Sequence, residues 1–190
     1  MTFSTLYLNP LTISDLPAAI ELDQRCFGGL WNLAGYQREI ESPNSDLLLL
    51  CCDRMQGCDD EDNCKHSIGL ACLWRILDEA HITLLAVHPD VQRQGLGQLL
   101  LYQLLLRAHQ AQMNRATLEV RSGNKRAIGL YQKFGFKLAG NRRGYYQATQ
   151  EDALIFWRSG LQNPNFALEL GAWKAMILER LTQCDWQWCE

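Results

Sequence analysis

Gly95 and Gly97 stand just ahead of a Leu-rich stretch, residues 98–111, and just behind an apolar run, Ile82 to Val87, that stops at His88-Pro89. The apolar run has the character of a strand. In the stretch that follows, Leu99, Tyr102 and Leu106, and likewise Leu100, Gln103 and Leu104, recur at helical spacings. A strand, a glycine loop and a helix in succession leave backbone N–H groups unpaired at the helix start. They point one way, together with the positive end of the helix dipole, which suits a phosphate or pyrophosphate. A ligand-free tight turn has the same glycines, so the pair alone does not settle the matter. Two common phosphate loops do not fit. A P-loop ends in Gly-Lys-Ser/Thr, whereas Gln98-Leu99 follows Gly97. A dinucleotide fingerprint needs a small residue where Leu100 sits.

Downstream lie residues able to move protons. Glu119 is in the strand-like run Ala116-Thr-Leu-Glu-Val-Arg121, where alternation puts Leu118 and Val120 on one face and Thr117, Glu119 and Arg121 on the other. Alternation alone describes a glutamate facing solvent. Tyr131 follows Asn124 by seven residues, two helical turns along one face. By position alone it is more often a core aromatic than an acid. Cys58, Cys64 and His66 invite a metal reading, but their spacing is no standard zinc pattern and a closed site wants four ligands. No metal is expected.

The motif Gln92-Arg-Gln-Gly-Leu-Gly97 resembles the Q/R-x-x-G-x-G/A loop of the GCN5-related N-acetyltransferase (GNAT) superfamily. It is followed at the family's distance by Leu118-Glu-Val-Arg-Ser-Gly-Asn124 and Ala127-Ile-Gly-Leu-Tyr-Gln-Lys-Phe-Gly-Phe136. The branch it most resembles is the RimI-like ribosomal-protein alanine N-acetyltransferases, over residues 8–160. The resemblance implies acetyl-CoA as co-substrate, with its pyrophosphate on the backbone of Arg93, Gln94, Gly95, Leu96, Gly97 and Gln98 and added charge from Arg93. It implies a pantetheine arm beside Leu85, Ala86 and Val87, the Val87 N–H donating to the thioester carbonyl as a modest oxyanion-type donor. Glu119 takes the general-base position, Tyr131 that of the acid protonating the departing thiolate, and Asn124 a cofactor contact. A phenol with a pKa near 10 stays protonated at pH 7 and can serve a thiolate whose acid is near 8.5.

The acceptor implied is a protein N-terminus, most readily that of a small-subunit ribosomal protein. An α-amine titrates near 7.7–8.0, more than two units below a lysine, so a lone carboxylate suits it better. Acetylation of lysine or a small amine is the alternative. A non-catalytic CoA-binding module is a second, disfavoured because a mere binder needs neither Glu119 nor Tyr131. Asn141-Arg-Arg-Gly-Tyr-Tyr146 resembles the family's Arg-x-x-Tyr-Tyr segment near the peptide, with Tyr145 and Tyr146 either substrate contacts or ordinary strand aromatics. Phe27-Gly-Gly-Leu-Trp31 reads equally as a lid over the peptide or as hinge packing. RimI-like enzymes usually carry a Pro-Trp pair there, and this chain has Trp31 without the proline.

The elements that position these residues follow from patterning. The 190 residues suit one globular domain burying roughly 70% of its unfolded surface. A net charge of −3 argues against a dedicated nucleic-acid binder. No apolar run is long enough to span a membrane. Eight cysteines without a targeting segment fit a reducing cytosol, so a cytoplasmic location is expected. Nothing specifies an oligomeric state.

Strands are expected at residues 6–8, 46–52, 67–76, 79–87, 115–120, 136–147 and 152–158. Helices are expected from Ser14, as N-cap, and over 32–42, 95–111, 124–134 and 168–181. Asn163-Pro164 reads as a linker, and the aromatic tail from Cys184 has no assigned role. An acidic, solvated and mobile insert is expected at about residues 53–66. The organisation is a GNAT domain over residues 1–160 and a C-terminal helical extension over 161–190. The fold class is α/β: a mixed, mostly antiparallel sheet with one central parallel pair, flanked by helices.

Overall fold

The computed structural model describes residues 3–53, 66–146 and 149–189. Eight strands form one sheet: β1 (Ser4–Pro10), β2 (Ser45–Cys52), β3 (His66–Ile76), β4 (Glu79–Val87), β5 (Arg115–Arg121), β6 (Lys137–Tyr146), β7 (Glu151–Ser159) and β8 (Trp186–Trp188), in the order β6-β7-β5-β4-β3-β2-β1-β8. The helices are α1 (Leu16–Phe27), α2 (Leu33–Glu41), α3 (Leu96–Gln110), α4 (Lys125–Lys133) and α5 (Pro164–Thr182).

The expected central parallel pair is β4 with β5, and the crossover through α3 makes it parallel. The α/β class holds, with one addition. The aromatic tail forms β8, a second parallel pair with β1 at the sheet's edge, matching Ser4 to Trp186 and Leu6 to Trp188. Asn163-Pro164 is not a linker. Asn163 is the N-cap and Pro164 the first residue of α5, where proline's missing N–H costs nothing. Nor does Ser14 cap the first helix. Thr12 and Asp15 close a short turn ahead of α1, the Asp15 carboxylate accepting from the Thr12 N–H at 2.9 Å and from its hydroxyl at 2.6 Å.

Period-2 alternation in β2 divides the core. Leu48, Leu50 and Cys52 face one side with the buried Leu residues of α3, Tyr131 and Phe134 from the α4 region, and Phe166, Leu170, Ile177 and Leu181 of α5. Leu47, Leu49 and Cys51 face the other, under Leu16, Ala19 and Leu22 of α1 and Tyr36 of α2. Helices α3, α4 and α5 thus cover one face and α1 and α2 the other. Trp173 of α5 packs between Phe134 and Phe166, at ring-centroid distances of 4.7 and 5.9 Å. Among the described residues, no helix is long and apolar enough to cross a membrane. Of the acidic insert expected at about residues 53–66, residues 54–65, with Cys58 and Cys64, lie outside the described residues, and His66 opens β3.

Candidate active site

Pairing between β4 and β5 runs only from Glu79 with Arg115 to Ile82 with Leu118. Beyond that point β4 stays with β3 as far as Val87 and Gly69, and β5 stays with β7 as far as Arg121 and Ala153, so the central pair splays apart. Thr83 is an extra residue where the β3–β4 register shifts, between Ile82 opposite Leu73 and Leu84 opposite Cys72. The His88 N–H donates to the Ile68 carbonyl at 2.8 Å. Antiparallel pairs alternate, so Leu85 and Val87 turn their backbone groups away from β3, into the gap left by β5. The Val87 carbonyl accepts from Gln92 Nε2 at 3.0 Å and from Cys26 Sγ at 3.5 Å, consistent with that orientation.

At the mouth of the gap, a cavity of about 680 Å³ is lined by Leu85, Val87, Gly97 and Gln98 on one side and by Asn124, Ala127 and Leu130 on the other. Gly95, the N-cap of α3, has φ +96°, and Arg93 has φ +67°. These left-handed conformations turn the loop so that the N–H groups of Arg93, Gln94, Gly95, Leu96 and Gly97 have no backbone acceptor among the described residues. Free N–H groups at the start of a 15-residue helix form an anion cradle. Arg93, Arg126 and Arg180 line the same cavity. None of the three is ion-paired with a carboxylate among the described residues. Basic side chains, unpaired N–H donors and an apolar trough behind them fit a phosphorylated ligand with a long, weakly polar arm.

A second cavity, about 370 Å³, continues the gap on its far side. Phe27, Leu30, Leu85, Glu119, Tyr131 and Tyr146 line it, and Leu85, Asn124 and Ala127 belong to both cavities. Glu119 is mostly shielded, its side chain 17% exposed. One carboxylate oxygen pairs with Arg142 Nη2 at 3.0 Å, and the other faces His81 Nε2 at 4.0 Å. His81 Nδ1 meets Thr117 Oγ1 at 2.8 Å, and that hydroxyl donates to Glu79 at 2.7 Å. Tyr131 is buried at the end of α4, edge-on to Phe136, with ring centroids 5.9 Å apart. Burial, with a smaller contribution from the nearby Tyr146, pushes its phenol pKa above the ordinary value. Tyr131 therefore keeps its proton at neutral pH.

The splay brings most of the expected residues together. Leu85, Val87, Arg93, Gly95, Gly97, Gln98 and Asn124 line the first cavity, and Glu119, Tyr131 and Asn124 the second. Asn124 Oδ1 also accepts from the Ala127 N–H at 3.1 Å, capping α4. Three expected cofactor contacts turn their side chains elsewhere. Ala86 faces the core beneath α1, Leu96 is buried in the α3 core, and the Gln94 side chain accepts from Trp186 Nε1 at 2.6 Å. For Gln94 and Leu96 only the backbone can reach an anion. Sequence reasoning missed Arg126, Leu130 and Arg180 as cavity residues and His81 as a neighbour of Glu119. Arg126 sits two residues past Asn124 and could have been found; Arg180 is 83 positions from Gly97 and carries no local signal.

A split central parallel pair, a glycine loop at its mouth and a cavity lined by both a shielded carboxylate and a buried phenol define an acetyltransferase architecture. The chain belongs to the acetyltransferase (GNAT) family, which it matches over residues 16–136. It is 35% identical over 150 residues to the ribosomal protein bS18-alanine N-acetyltransferase of Escherichia coli K12, covering 78% of this chain and 93% of that one. To the Bacillus subtilis protein described as a putative enzyme of the same name, it is 30% identical over 148 residues, covering 77% and 91%. The crystal structure of the E. coli enzyme superposes with a TM-score of 0.68 at 31% identity, covering 81% of this chain and 93% of that one. The protein is an N-acetyltransferase, and acetyl-CoA is its co-substrate.

Proposed function

We propose that this protein acetylates the N-terminal α-amine of a small-subunit ribosomal protein, bS18 by analogy with its relatives, with Glu119 as general base and Tyr131 as general acid. The observation that carries the reading is the meeting of two cavities at Leu85, Asn124 and Ala127, one basic and lined with N–H donors, the other holding Glu119 and Tyr131. In this reading acetyl-CoA lies in the first cavity, its phosphates at residues 93–98, and the acceptor amine enters the second.

Glu119 takes the amine proton as nitrogen attacks the acetyl carbon, directly or through a water. The Val87 N–H, turned into the gap, stabilises the carbonyl oxygen as negative charge develops there. Tyr131 gives its proton to the sulfur as the C–S bond breaks. Arg142 orients the Glu119 carboxylate. An α-amine has a neutral fraction at physiological pH that a lysine lacks, which suits a site with a single carboxylate. Phe27 and Leu30 supply apolar contact for the first residues of a peptide, and Tyr146 lines the same cavity.

The proposal extends to a cytoplasmic enzyme acting on a free protein terminus without binding nucleic acid or membrane. It also takes residues 1–160 as the catalytic domain and 161–190 as an extension. Mass spectrometry of N-terminal peptides from cells with and without the protein tests the substrate. A single ribosomal protein losing its N-terminal acetyl group is the expected result; a change confined to lysines or small amines contradicts it. Glu119→Gln is expected to lower turnover by about 10²–10⁴, partly recovered at higher pH, and Tyr131→Phe to slow turnover with little change in amine affinity. Near-wild-type turnover of both variants at pH 7 overturns these roles.

A further inference from the structure

We propose that α5 completes the donor site: Arg180 is a phosphate-binding residue for acetyl-CoA, and the C-terminal extension holds the glycine loop in its binding shape. This rests on the reading of the loop cavity as the acetyl-CoA site. Helix α5 lies outside residues 16–136, where the family match falls, yet its last turn crosses the loop. Arg180 Nη2 donates to the Arg93 carbonyl at 2.9 Å. The aliphatic stem of Arg180 lies so close to Gly95 that a Cβ there would come within 3.1 Å of Arg180 Cγ and 3.5 Å of Leu181 Cδ2. One strand further on, Trp186 Nε1 donates to Gln94 Oε1 at 2.6 Å. Two successive loop residues are therefore tied to the extension through different groups.

The guanidinium does more than tie. It lines the donor cavity with Arg93 and Arg126, it has no carboxylate partner among the described residues, and one of its five N–H donors suffices for the Arg93 carbonyl. That leaves donors and a permanent charge on the wall of the cavity that Arg93, Gly95 and Gly97 of the loop also line. A planar guanidinium above an anion cradle matches phosphate oxygens in both charge and geometry. Because α5 is anchored in the core through Phe166, Leu170, Ile177 and Leu181, Arg180 is held in place before the ligand arrives.

Arg180→Met keeps the stem against Gly95 and removes the charge. Calorimetry on the full chain should show acetyl-CoA affinity falling about 10- to 100-fold, as for loss of a hydrogen bond to a charged group. The thermal unfolding midpoint should be little changed, and Arg180→Lys should recover part of the affinity. Turnover with S-acetylpantetheine, which lacks the phosphates, should fall much less in Arg180→Met than turnover with acetyl-CoA. Unchanged acetyl-CoA affinity overturns the proposal, and so does an equal loss with S-acetylpantetheine, because the role would then be structural only. Failure of the wild-type protein itself to bind acetyl-CoA would instead overturn the donor-cavity reading.

Discussion

Gly95 and Gly97 flank one leucine and are glycines for different reasons. Gly95 adopts φ +96°, a left-handed conformation costing an L-residue roughly 1–2 kcal/mol, and sits under Arg180. Gly97 has no such strain. A Cβ there would lie 3.5 Å from Leu130 and 3.9 Å from Val87, in ordinary contact, but on the wall of the donor cavity. Gly95→Ala should therefore lower stability by about 1–2 kcal/mol. Gly97→Asp should fold with a near-normal unfolding midpoint yet bind acetyl-CoA at least about 100-fold more weakly, a carboxylate having been placed beside phosphates. Denaturation curves and calorimetry on both variants separate the two effects; a Gly97→Asp protein that binds normally contradicts the cradle. Glu119 shows how far a single residue can be read. Strand alternation places it on the less buried face, and what shields it is the contact with Arg142 and His81, from β6 and β4.

The corner between α1 and α2 is organised around Asp23. It is fully buried and accepts from the Leu30 N–H at 2.7 Å, the Trp31 N–H at 2.9 Å and the Tyr36 hydroxyl at 2.9 Å. Gly28 ends α1 with φ +75°, which lets the chain turn back over the carboxylate. Phe27 and Leu30 are thereby held at the acceptor cavity, 41% and 50% exposed. The sequence showed the helix break, the glycines and the flanking aromatics, but it did not show the Asp23 carboxylate as the clamp. Asp23→Ala leaves three donors without their acceptor and is expected to cost about 3 kcal/mol or more. It should also raise KM for a peptide acceptor more than KM for acetyl-CoA. Urea denaturation with steady-state kinetics checks both, and a stable variant with unchanged peptide KM contradicts the clamp.

Across the whole molecule, several acids are kept protonated by burial. The thiols of Cys26 and Cys72 are pushed up to about 11, mainly by burial, and the phenols of Tyr36, Tyr131 and Tyr146 are raised, with burial the leading cause in each. Each group holds its proton more tightly folded than unfolded, so unfolding at alkaline pH releases protons and rising pH favours the unfolded chain. Their contribution is intact below pH 9 and is lost progressively above it, the thiols first, since their unfolded value is 9.0, and the phenols above 10. Midpoints of urea denaturation are expected to be flat across pH 7–8.5 as far as these groups are concerned and to fall through pH 9–11. The fall should be shallower when Cys72→Ala and Tyr131→Phe are combined. A midpoint that holds to pH 11 contradicts the assignment.

The sequence by itself determined the order and type of nearly all the elements, because hydrophobic period and helix-end chemistry are local. The loop of Gly95 and Gly97, the parallel β4–β5 pair and the placing of Asn124 and Tyr131 on one helix face were all legible from neighbouring residues. Tertiary structure alone decided the rest. The splay between β4 and β5 depends on a bulge at Thr83 and on each strand keeping its outer partner, which no single strand's pattern encodes. The outward turn of Leu85 and Val87, with Ala86 facing the core, follows from that register. Strand β8 is three residues long, too short for a periodic signal, and exists because α5 delivers Trp186 to the edge beside Ser4. Arg180 likewise reaches Arg93 across 87 positions only because α5 packs on α3. Contacts that distant leave no mark on local composition, since what brings the residues together is the burial of other side chains.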